Sequence, residues 1–269
     1  MSLTKTIKRM TIGAKLKALV FSVLFLIFAE SVIFYQEFFW TILVSILTAF
    51  ALSFLWFLGP DLFIRKKIKL AKSLLPFLLI ASATFFFLFE NNIWFCQIVV
   101  ALVIVAIWFF MRVYHLMPPD EAKSSDSFLV FEKIFPIVLF CLFLASWVIW
   151  NFYYNLAWPL WAPMIIWFLV VLLLFYYLFW FAGLLDEVSS PASFLTAIVL
   201  VEIFLVLAFW YCDPYIKSFI LTISAFGVGE VLFLIEKSAL TQRKIWWIIL
   251  VLGVLLGIIL KTIVWVRAI

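Results

Sequence analysis

Apolar residues in this chain come in blocks of about 18 to 22, each closed by a few polar residues, and the blocks recur nine times between residues 17 and 266. A helix rising 1.5 Å per residue needs about 20 such residues to cross a hydrocarbon core of about 30 Å. The pattern predicts an all-α, polytopic transmembrane helical bundle with spans at 17–35, 38–58, 73–89, 93–114, 131–150, 160–182, 194–211, 215–235 and 245–266. Spans start at 17, 73, 131, 194 and 245, which reads as four up-down hairpins and a final single helix. Pro76 and Pro136 then fall in first turns, where proline is tolerated, and predict helix starts.

Between the blocks there is little room for anything else. Residues 1–16 form a basic segment, and 115–127 (HLMPPDEAKSSDS) is the longest connection, so 1–269 is expected to be a single integral membrane domain. The first block outruns the apolar core of a signal peptide and passes straight into the next at Gln36-Glu37, which predicts an uncleaved helix.

Composition removes the soluble alternatives. Hydrophobic residues are 69% of the chain and charged residues 12%, with mean hydropathy +1.29, against about 45–50% and about 25% in soluble domains. A net charge of +5 raises nucleic acid as a partner. The basic residues sit at helix ends instead of on one soluble face, which excludes it.

Their distribution sets an orientation. If the N-terminus is cytoplasmic, the inner segments carry Lys5, Lys8, Arg9, Lys15 and Lys17, then Arg65, Lys66, Lys67, Lys69 and Lys72. They also carry Arg112, Lys123 and Lys133, and then Lys237, Arg243 and Lys244. Only Lys217, Lys261 and Arg267 of the 19 fall on the other side, which predicts N-in, C-out in the cytoplasmic (cell) membrane. Tryptophans gather near predicted span ends, as amphipathic rings do at headgroup level; Trp167 alone falls mid-span.

An ionisable group inside the apolar slab costs about 2.5–3.5 kcal/mol on insertion scales, so each one is a candidate site. Glu202 is the deepest, and its own helical face (Leu195, Ile198, Val199, Leu205, Val206, Phe209) offers no partner. It is expected either to exchange protons in a carrier or to bond a neighbouring helix. Lys261 shares a stripe with Gly253 and Gly257, a GxxxG spacing that lets another backbone approach closely. It either leans into that interface or snorkels outward. Glu30 lies at the depth of Lys261 and could pair with it or meet water at its helix end. Glu230 sits beside Gly229 and either faces the bundle or meets Lys237 or Arg243. Ser218, Thr222, Ala225 and Gly229, spaced four, three and four, predict a helix-packing face.

Chemistry beyond packing is sparse. Cys96, Cys141 and Cys212 are far apart and His115 is the only histidine, so no metal site is expected and no cofactor. No nucleophile–base set, paired aspartates or phosphate-binding loop is present, which argues against an enzyme. Two readings remain. The first is a carrier or permease-like bundle for a small solute, ion or lipid, with its site near Glu202. The alternative is a structural or assembly subunit, partnered by lipid and by other transmembrane helices, its own copies or another subunit, through the GxxxG face.

Overall fold

The computed structural model describes residues 12–34, 66–116, 127–182, 184, 186–236 and 241–266. Those residues form eight helices and no strand: α1 (Ile12–Phe34), α2 (Lys66–Phe89), α3 (Ile93–Leu116), α4 (Ser127–Asn155), α5 (Trp161–Phe181), α6 (Asp186–Ala208), α7 (Pro214–Glu236) and α8 (Gln242–Val266). Five contain stretches long and apolar enough to cross a membrane, at Ile93–Phe110, Phe131–Asn155, Trp161–Phe181, Val188–Ala208 and Pro214–Glu236. The expected span 38–58 lies outside the described residues.

Helix is the only open-ended way for such a sequence to satisfy its backbone in lipid. The few hydroxyls conform to it by donating to carbonyls one turn back: Ser31 to Ile27, Thr84 to Ile80, Thr196 to Ala192 and Thr222 to Ser218, all at 2.8–2.9 Å. Side-chain caps mark two starts. Asn92 accepts from the Trp94 and Phe95 amides at 3.1 and 3.3 Å and opens α3. Asp213 accepts from the Tyr215 amide at 2.7 Å, with Pro214 at the first helical position of α7.

The prolines require a correction. Because α2 begins at Lys66 and α4 at Ser127, Pro76 and Pro136 stand inside helices and not in their first turns. The basic and polar stretches KKIKLAKS and SFLVFEK continue the helices beyond the apolar blocks, so hydropathy alone placed both starts too late. Each proline removes one intrahelical hydrogen bond.

The chain divides into two compact units, 1–137 and 138–269. In the first, α1 packs on α3 and on α2, and α2 on α3, around Leu79, Ala83, Phe86, Phe87 and Val103. In the second, α5 and α6 form the tightest pair, and α7 packs on α6 and α8. Its core is aromatic: Trp150, Trp167, Phe175, Tyr177 and Phe204 are at most 1% exposed. Outward faces are apolar too, with Leu102, Val105, Ile165, Leu169, Val206 and Phe219 all exposed. Such surface is tolerable where acyl chains replace water.

Candidate functional site

The four ionisable residues singled out from the sequence stand on four different helices: Glu30 on α1, Glu202 on α6, Glu230 on α7 and Lys261 on α8. Glu202 is exposed on α6, on the same outward stripe as Ile198 and Val206, and makes no hydrogen bond or ion pair with a described residue. It stands six residues before the end of α6, about 9 Å along the axis. Lys261, on α8, is exposed and likewise makes no such contact. Gly253 and Gly257 are exposed, and a Cβ built on either would meet nothing within 4 Å. No described residue covers the GxxxG face.

Glu30 has a partner other than Lys261. Its Oε1 accepts from Gln97 Nε2 at 2.8 Å, joining α1 to α3. Glu30 borders a shallow hollow of about 580 Å³ lined also by Leu26, Ile27, Ser31 and Phe34. Glu230 is half-buried on α7. On the same helix Ser218, Ala225 and Gly229 are buried and Thr222 half-buried, so the small-residue stripe faces inward, on the helix that packs against α6 and α8.

The densest polar arrangement lies elsewhere, around Lys217. The charge count from the sequence placed this residue only among the three cations on the outer side. In the structure it is fully buried one turn into α7. Its Nζ donates to the Tyr154 hydroxyl and lies 4.5 Å from the centroid of the Trp150 ring and 5.0 Å from that of Tyr154. Each ring face offers a partial negative charge to an ammonium.

The surrounding rings form a stack across three helices. Trp150 of α4 lies on Phe204 of α6 at 4.0 Å between centroids, and Phe204 lies 6.2 Å from Trp167 of α5. Trp167 Nε1 donates to the Leu200 carbonyl at 3.2 Å. Trp167, which falls mid-span in the sequence, is a core residue with its own acceptor. Trp147 meets Tyr215 at 5.3 Å. The spacing Trp147, Trp150, Tyr154 keeps three aromatics on one helical face, which is the signal that could have drawn attention to Lys217.

Beside this cluster, the 209–213 turn carries Cys212 and Asp213. Partial burial pushes the Asp213 carboxyl above its ordinary value. Burial also raises the Cys212 thiol, against the lowering field of Lys217, with Asp213 raising it further. Cys96 and Cys141 are buried, and Cys96 Sγ donates to the Glu90 carbonyl at 3.6 Å. Among the described residues no three His, Cys, Asp or Glu side chains gather as a metal site would require.

Among the described residues the helices thus hold Lys217 buried and carry Glu202, Gly253 and Gly257 exposed. Set against known proteins, the chain matches no family model, no curated protein and no solved structure.

Proposed function

We propose that the protein is an assembly subunit of the cell membrane, a bundle of about nine spans with N-in, C-out orientation that binds other transmembrane helices, its own copies first among them. The observation that carries this is the outward placement of Glu202. A carboxyl group facing lipid at this depth costs about 2.5–3.5 kcal/mol. A hydrogen bond from an incoming helix returns about 0.6–2 kcal/mol and removes the lipid contact as well. The open Gly253 and Gly257 supply a second face on which a backbone can approach closely.

The carrier reading centred on Glu202 needs that residue to line a path through the bundle, and an exposed position on one chain does not supply one. Buried Lys217 is the observation that favours a carrier instead, because intramembrane charge marks solute pathways.

Energy transfer between donor- and acceptor-labelled copies in dilute liposomes tests the assembly reading. Wild type should show transfer; Glu202→Leu and Gly253→Leu with Gly257→Leu should each reduce it strongly. No transfer in wild type, or transfer unchanged in both variants, rejects it. Solute uptake that needs Lys217 but no association would favour the carrier.

A further inference from the structure

We propose that Lys217, Trp150 and Tyr154 form a binding site for an oxyanion of the phosphate type, carried by a lipid headgroup or free in solution. The inference begins with an imbalance of donors and acceptors. Lys217 brings three N–H donors and no acceptor. One goes to the Tyr154 oxygen. That leaves the Tyr154 O–H proton itself as a donor. The third group is Trp150, whose indole Nε1 is buried and has no hydrogen-bond partner among the described residues. All three groups present donors, and Lys217 forms no ion pair with a described carboxylate.

The fixed dipoles add to the same demand. Lys217 stands in the first turns of α7, the positive end of that helix, so its charge is repelled and not neutralised by the backbone. Asp213, the nearest carboxylate in sequence, already accepts the Tyr215 amide as the helix cap. Two aromatic faces cushion the ammonium. They do not use its remaining donors or that of Trp150.

An oxyanion resolves the imbalance. Its several oxygens can accept from Lys217, from the Tyr154 hydroxyl and from Trp150 Nε1, donors carried by three side chains in mutual contact. Tyr154 is 45% exposed while Lys217 and Trp150 are fully buried, so Tyr154 is the side chain through which the site opens. The cluster lies at the end of two apolar spans, α4 and α7, the level at which lipid phosphates are found.

The full chain in dodecyl maltoside is titrated with palmitoyl-oleoyl phosphatidylglycerol in one arm and inorganic phosphate in the other. Retained ligand is read by native mass spectrometry and by the shift in melting temperature. Lys217→Met should weaken binding about tenfold and Trp150→Phe, which keeps a stacking ring but loses the N–H, about threefold, the scale expected for charge-assisted and neutral hydrogen bonds respectively. Lys133→Met, an exposed cation elsewhere, should leave binding unchanged. Lys217-dependent binding of the lipid alone assigns the headgroup, and Lys217-dependent binding of inorganic phosphate as well assigns a free anion. No binding by wild type, or equal binding by wild type, Lys217→Met and Trp150→Phe, overturns the proposal. Should Lys217→Met fail to fold, Trp150→Phe decides alone.

Discussion

Trp150 lies flat on Phe204, ring centroids 4.0 Å apart and planes 7° from parallel, with both side chains fully buried. The contact holds α4 against α6 and fixes the ring beneath the Lys217 ammonium. In water, truncating a buried Phe costs about 3–5 kcal/mol, part transfer and part cavity. In lipid the transfer part shrinks, because acyl tails are as apolar as Leu, and packing remains. Phe204→Ala should therefore cost about 3 kcal/mol and Phe204→Leu about 1 kcal/mol by reversible unfolding in mixed micelles. A loss below about 1 kcal/mol for the alanine variant would show that the stack holds nothing together.

The Glu30–Gln97 hydrogen bond makes a prediction with a built-in asymmetry. Glu30→Gln keeps an oxygen to accept from Gln97 Nε2, so it should change stability by less than about 0.5 kcal/mol. Gln97→Leu leaves the half-buried carboxylate without its donor and should cost about 1–2 kcal/mol. Replacing both residues by Leu should recover most of that loss. Equal effects from the two single variants would mean that the bond contributes no more than its neighbours' packing.

Much of this architecture is written in the sequence, and the remainder is absent for a definable reason. Hydropathy blocks placed the helix ends to within a few residues at α3 and α7. The facing of Glu202 was missed although a signal for it exists: Ser189, Ser193 and Thr196, spaced four and three, mark a small polar face of α6 that is buried, and Glu202 lies nearly opposite it on the helix. Gln97, the partner of Glu30, lies 67 residues away, and no local pattern announces it. Lys217 was concealed by the positive-inside count, which treats any cation near a span end as solvated. Its burial follows only once α4 brings Trp150 and Tyr154 over it.

Asp213 gives a pH dependence. Its carboxyl lies in the turn between two spans, and partial burial raises its pKa above the ordinary carboxylate range, outweighing the cap bond to the Tyr215 amide. The folded chain therefore holds that proton more tightly than the unfolded chain. The resulting stabilisation is complete below about pH 3.9, the unfolded value, and is lost as pH rises through the higher folded value. Asp213→Asn keeps a cap oxygen and should flatten this slope; Asp213→Ala removes the same titration and, by losing the cap, should lie about 1 kcal/mol below the Asn variant at all pH values. Melting temperatures in detergent from pH 4 to 8 check both; a steeper slope in Asp213→Asn would reverse the assignment.

The proposed topology rests on charge bias and is open to direct measurement. If the N-terminus is cytoplasmic and 38–58 crosses the membrane, the turn at Asn91 and the end of α4 at Asn155 face outward, while Thr241, before α8, faces inward. All three positions are exposed, so a cysteine at any of them can reach a maleimide. Background labelling is removed with Cys96→Ala, Cys141→Ala and Cys212→Ser. In intact cells an impermeant maleimide should label Asn91→Cys and Asn155→Cys, and Thr241→Cys only after permeabilisation. Labelling of Thr241→Cys in intact cells, with Asn91→Cys protected, would invert the orientation. Asn91→Cys and Asn155→Cys on opposite sides would instead show that the number of crossings between them is odd. Since α3 and α4 each contain a full apolar stretch, that outcome would require one of them to lie outside the bilayer, and the count of nine would fall with it.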